Sequence, residues 1–376
     1  GTYVSDDLTN LKLWYSADNA FGGDTEIKSI STPGVAGAKT FSSLSQDLAI
    51  GDHWFFVTAD IASGATGGNT INVAAMANTA ISVSSGTPSG SASAAGAQTI
   101  LTVPVLTLPT ATSIGTNTAT LGATVSSLGG VAALSSRGTV YNTTGSPVIE
   151  NALAQGGTAG GAFSHARSPL ARGTKYYYRG YAVNSVDTAY SPQGSFYTEP
   201  RGPNGWVCYP LSPTSIRVTW SGAQSNDGVI VVMRQGAAVA DFPQDGTVYT
   251  ANSVFGTAGT AIGSGYVVYA GAASYVDVTG LTTETEYHVH IMAYKGTVAD
   301  SGYDLGINYR QAEARTTSAT TLHIPPTLNA SNLVFSGFLT NGVTLSWQRG
   351  NGDAVVVAVG DNNADYDAGG SYENPD

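Results

Sequence analysis

The chain has 376 residues and a formal net charge of −11, with 15 Lys and Arg against 26 Asp and Glu. So few cations exclude a basic footprint for nucleic acid across the whole chain, and an anionic membrane surface would repel it. Charged residues are 11% and Gly numbers 47, yet hydrophobic content is 42%, the composition of a folded protein rather than a disordered one. At about 100–150 residues per domain, the length suggests three domains.

No run of about 18 apolar residues is present, so no membrane-inserted helix is expected. The single cysteine, Cys208, excludes an internal disulfide. The chain opens at Gly1 without Met or a signal-peptide pattern, so a processed or trimmed start is expected. Apolar residues at 3.6-residue spacing are absent almost everywhere. Thr, Val, Tyr and Ser alternate instead, punctuated by Gly and Asn, which predicts an all-β chain.

Residues 1–103 read as a first β-sandwich unit. Leu11, Leu13 and Tyr15 alternate with Lys12 and Trp14, and Phe55, Val57 and Ala59 alternate with Phe56 and Thr58. Further strands are expected at Ile71 to Ala75, at Ile81 and Val83, and at Thr99 to Val103, with Gly-rich turns between them. Pro104 and Pro109 mark a boundary. Residues 104–199 form a second unit, whose clearest strand runs from Lys175 to Val183 with Tyr176, Tyr178, Gly180 and Ala182 on one face.

Residues 204–318 form a third unit. Ile216, Val218 and Trp220 share one strand face, and Val229 to Met233 is apolar throughout and reads as a buried strand. Residues 322–376 start this unit again. Val343 to Trp347 repeats Ile216 to Trp220, and residues 351–357 repeat residues 226–232. Half a sandwich cannot bury its sheet face, so another chain or further residues are expected to complete this incomplete repeat.

The stretch Leu170-Ala171-Arg172-Gly173-Thr174-Lys175-Tyr176 matches Leu281-Thr282-Thr283-Glu284-Thr285-Glu286-Tyr287 at Leu, Thr and Tyr. Both resemble the tyrosine corner of fibronectin type III-like sandwiches. Trp220 and Trp347 stand where such domains carry a core Trp. The resemblance implies tandem immunoglobulin/fibronectin III-like β-sandwiches over residues 104–376, with Tyr176, Tyr287, Trp220 and Trp347 in structural roles.

Arg137 to Thr144, Tyr181 to Ser185 and Trp347 to Asp353 are similar to the fibronectin-like domains of secreted Bacteroidetes surface proteins. That likeness implies adhesins or secreted enzymes exported by the type IX system. Leu11 to Ser16 and Phe55 to Ile61 resemble the domain found N-terminal to BNR-repeat neuraminidases, and because that domain normally has a strand before this point, the likeness implies a truncated start. No propeller repeats follow, so sialidase activity does not carry over.

Candidate chemistry is sparse. His288 and His290 share a strand face with Glu286 and could hold a metal, though a solvated face explains them as well. Cys208, between Trp206 and Tyr209, reads as a structural thiol. Asp6, Asp7, Asp361, Asp365 and Asp367 offer carboxylates, the last three in a loop with Ca²⁺-like oxygen spacing but no helical flanks. Tyr176, Tyr177 and Tyr178 could stack on a sugar. Asp187-Thr188-Ala189 resembles a Bacteroidetes O-glycosylation signal, with Thr188 expected on a loop.

No catalytic residue, cofactor or metal site is assigned. The function expected is a non-enzymatic extracellular structural or adhesion protein, a segment of a cell-surface adhesin or filament. Self-association or neighbouring domains of the same protein are its expected partners, with glycans as a further candidate, no nucleic acid and no membrane insertion. The alternative is an accessory substrate-targeting or carbohydrate-binding part of a secreted hydrolase.

Overall fold

The computed structural model describes residues 1–300, 302–312, 314–355 and 357. The alternation of β-branched and aromatic residues produces strands throughout these residues, with one helical turn, the 3-10 turn Asn78–Ala80.

In the first unit, β1 (Leu8–Ser16) pairs antiparallel with β2 (Thr25–Ser31) and β3 (Trp54–Ile61). Two short ladders follow: β4 (Thr70–Ile71) with β7 (Gln98–Thr99), and β5 (Met76–Ala77) with β6 (Ser91–Ala92). The core is small and centres on Tyr3, Leu8, Leu11 and Ile100. Ile81, Val83, Leu101 and Val103 lie outside strands, contrary to their alternation. The neighbouring Ser, Gly and Ala residues offer no apolar face to cover them, and Val83, Leu101 and Val103 remain exposed.

Asp7 is fully buried and fastens this unit. Its carboxylate accepts from Val4 N (2.8 Å), Thr66 N (2.6 Å) and Asn69 Nδ2 (2.7 Å). Burial opposes its charge, but these donors outweigh that and hold its carboxyl below the ordinary carboxylate range.

The second unit contains β8 (Val105–Thr112), β9 (Ala119–Ser127), β10 (Ser136–Asn142), β11 (Ala152–Gln155), β12 (Gly161–Arg167), β13 (Lys175–Val183), β14 (Thr188–Tyr190) and β15 (Gly194–Tyr197). One sheet has the order β12-β9-β8. The facing sheet has the order β11-β10-β13-β15, and β14 also pairs with β13. Leu121, Leu170, Tyr178 and Phe196 fill one part of the core, and Leu106, Val125 and Ala182 another.

The third unit repeats this plan with β16 (Gly205–Ser212), β17 (Ser215–Ser221), β18 (Gly228–Gln235), β19 (Ala261–Ile262), β20 (Gly265–Gly271), β21 (Tyr275–Val278), β22 (Glu286–Lys295), β23 (Tyr303–Asp304), β24 (Asn308–Tyr309) and β25 (Arg315–Thr320). Sheet β16-β17-β21 faces β19-β20-β18-β22, with β24 and β25 both on β22. In both units the first two strands and one later strand form a three-stranded sheet that faces a larger one. These are tandem immunoglobulin/fibronectin III-like sandwiches in an all-β chain.

The third unit adds a layer to that plan. The apolar run of β18 is buried on both faces. Val229, Val231 and Met233 point between the sheets toward Ile216, Val218 and Trp220. Ile230 and Val232 point the other way, into a second core with Val239, Ile262, Val267, Met292, Ile307 and Tyr309. The long connection from β18 to β19, β19 itself and the connection between β22 and β25 supply that cover.

Beyond it, β26 (Ser331–Leu339) and β27 (Gly342–Gln348) form an antiparallel hairpin. Every residue of β26 is exposed. Trp347 is 39% exposed where Trp220 is 6%, so it does not share the core environment expected from the repeat. No second sheet faces the hairpin among the described residues.

Candidate functional site: the junction between the second and third units

Most residues singled out in the sequence serve the sandwiches themselves. Tyr176 Oη accepts from Ala171 N (2.8 Å) and Tyr287 Oη from Thr282 N (2.9 Å), each closing the turn before its strand. Both side chains are buried. Trp220 packs on Tyr269 at 5.0 Å between ring centroids. Tyr178 is in the core, while Tyr177 lies on the outer face under Lys175 Nζ at 5.4 Å.

Thr188 opens strand β14 opposite Val183 instead of lying on a loop, because the chain folds straight back onto β13. It is half-buried there, and its N–H donates to Asp187 Oδ1 at 2.6 Å.

The histidines separate by environment. His288 Nε2 faces Glu286 Oε2 at 3.3 Å, near solvent. His290 is buried and stacked on Phe242 at 5.3 Å, and burial pushes its pKa down. Among the described residues no group of three or more His, Cys, Asp or Glu is placed to hold a metal. Residues 361–367, the Ca²⁺-like loop, lie outside the described residues. Cys208 packs against the core of the third unit, and burial pushes its thiol up to about 12.

The buried polar groups that the sequence did not flag converge between units. The connection from β22 to β25 leaves its own sandwich and adds β23 in parallel to β15 of the second unit, pairing Gly194 with Tyr303 and Ser195 with Asp304. Leu305 N donates to Ser195 O at 2.9 Å, and the buried Asn308 donates through Nδ2 to Tyr197 O at 2.7 Å. Arg310 pairs with Glu199, both side chains only 13% exposed.

Asp304 is held by Gly306 N at 3.0 Å and faces Lys175 Nζ at 3.6 Å. Burial opposes the Asp304 charge, but the Gly306 and Asp300 N–H groups, the Ser195 hydroxyl and Lys175 together keep its carboxyl below the usual range. The Lys175 ammonium also lies 5.3 Å from the centre of the Tyr197 ring. One segment of the third unit thus serves both as cover for its own second core, through Ile307 and Tyr309, and as an edge strand for its neighbour.

A smaller version joins the first and second units. Asn184 Nδ2 donates to Thr102 O (2.7 Å) and Leu128 O (3.0 Å), and Thr102 N donates to Gly129 O (2.9 Å). Gly129 has φ +76°, and any Cβ there would collide with Thr102 O, so the close approach requires glycine.

No family model and no curated protein matches the chain. Among solved structures it is similar to the FN1–FN3 domains of chicken CNTN1, at 13% identity over 85% of this chain and 97% of that one, with a TM-score of 0.32. It is also similar to a two-domain fibronectin type III segment from chicken tenascin, at 16% identity over 58% of this chain and 99% of that one, with a TM-score of 0.27.

Proposed function

We propose that the chain is a non-enzymatic structural or adhesion segment of an extracellular protein, in which the second and third units act as one stiff spacer. The observation that carries this reading is the shared sheet at β15 and β23, locked by Asn308 and by the Arg310–Glu199 pair. Independent modules on a flexible tether have no use for a strand exchanged across their boundary. The polar groups of Asp7, Asn184 and Asn308 are directed at neighbouring backbone rather than converging on a cleft.

The sequence likeness to Bacteroidetes surface proteins supports a place at the cell surface, after type IX export. Self-association would run through the hairpin β26–β27. Its exposed Phe335, Phe338, Leu339 and Trp347 and its strand edges, unpaired among the described residues, invite pairing with a second copy.

Electron microscopy of the full chain over a concentration series tests both parts. The second and third units should meet at one fixed angle in every particle, and particles should join as concentration rises. A broad spread of angles would overturn the spacer, and dispersed single particles at high concentration would overturn self-association.

A further inference from the structure

Beside the shared strand, the two units line an open pocket of about 340 Å³. Thr116 and Arg172 come from the second unit, Arg201, Gly202 and Asn204 from the connecting segment, and Arg310 and Arg315 from the third unit. The whole acidic chain has 15 Lys and Arg, and four of them face this one space. Guanidinium groups brought together repel one another, so the arrangement costs stability unless negative charge enters it.

Within the chain that compensation is partial. Arg310 pairs with Glu199. Arg172, Arg201 and Arg315 form no ion pair with any described carboxylate. Neutral groups orient two of them: Arg201 Nη1 donates to Gln224 Oε1 at 3.3 Å, and Arg315 Nε donates to Pro203 O at 2.9 Å. The Arg315 guanidinium also lies over the Trp206 ring at 5.1 Å from its centre. Anchored in this way, part of each fork is held while the remaining N–H groups stay available, which lowers the entropy lost on binding.

We propose that this pocket binds an oxyanion, a sulfate, phosphate or carboxylate group, carried on a ligand no larger than about one sugar ring. The planar fork of arginine matches such groups with paired, charge-assisted hydrogen bonds. The volume is at the small end of ligand pockets, which run from about 300 to 1,000 Å³. Thr116 and Asn204 add a hydroxyl and an amide suited to ligand hydroxyls. Because the arginines belong to both units, a bound anion ties the units together, and occupancy stabilises the joined state by mass action. This adds ligand recognition to a junction that otherwise serves only mechanics.

The test uses the full chain, followed by calorimetric titration and thermal unfolding. Inorganic sulfate is compared with chloride at equal ionic strength, and glucose 6-sulfate and glucuronate with glucose. Sulfate should bind saturably and raise the unfolding temperature where chloride does not. Tighter binding of the sugar acids than of inorganic sulfate would assign the site to a saccharide, and equal binding to a free anion.

Arg172→Gln together with Arg201→Gln should weaken binding about tenfold or more, as loss of charge-assisted hydrogen bonds does. Arg172 is exposed, so Arg172→Glu alone provides a folded variant and should abolish binding. Sulfate indistinguishable from chloride, or full-strength binding by Arg172→Glu, would overturn the proposal.

Discussion

Gly296 is the point at which a single methyl group should separate the second and third units. It follows β22 with φ +100°, and its N–H donates to Asp227 Oδ2 at 2.8 Å, which fixes its place. A Cβ there would lie 2.7 Å from Tyr197 Cδ2, 2.8 Å from Tyr197 Cε2 and 3.2 Å from Ile307 Cα. Tyr197 belongs to the second unit, so Gly296→Ala drives a wedge into the junction. A non-glycine residue in left-handed backbone costs about 1–2 kcal/mol, and overpacking about 1–3 kcal/mol more.

Together these are comparable with the gain from the few hydrogen bonds that join the units, at about 0.5–1.5 kcal/mol each. Differential scanning calorimetry of the full chain should show the second and third units unfolding together in the native protein and separating in Gly296→Ala. Gly302→Ala is the control. It sits in the same connection at φ +64° with nothing within 4 Å of its added Cβ, so it should show the backbone penalty without the separation. Equal behaviour of the two variants would refute the wedge.

Other expectations concern single groups. Tyr287→Phe leaves Thr282 N without its acceptor and should cost about 1–3 kcal/mol in urea unfolding, and a loss within error would contradict the role of that hydroxyl. Asp7 is held below its ordinary pKa in the folded state, so its stabilisation is present above the unfolded value and lost as pH falls through the folded one. The first unit should therefore weaken on acidification below about pH 4, and Asp7→Asn should flatten that dependence while lowering stability at neutral pH. With its thiol pushed up to about 12, Cys208 should react slowly with iodoacetamide at pH 8 until the chain unfolds. Rapid labelling of the native protein would contradict its packing.

The sandwiches were legible because their signals are side-chain signals. The unbroken apolar run at Val229 to Met233 marks a strand covered on both faces, and the paired Leu-to-Tyr spacing marks both tyrosine corners. In the first unit alternation overstates the strand content, since Ile81 and Val83 need a partner strand that the surrounding Ser and Gly residues do not provide.

The junction left almost no trace. Strands β23 and β24 have two residues each, too short for periodicity. The bond from Leu305 N to Ser195 O is between main-chain groups far apart in sequence, which no side-chain pattern records. The one available hint was length, because the connection between β22 and β25 is longer than a hairpin between neighbouring strands requires.

The arginines Arg172, Arg201, Arg310 and Arg315 are scattered along the chain and meet only once the two units are joined.

Hydrogen exchange at the Leu305 amide tests the shared sheet most directly. If β23 is an integral strand of the second unit, this amide should be protected far beyond an open-loop amide, approaching the core amides of β22. Exchange at the rate of an open loop, with β22 still protected, would show that the units are merely adjacent.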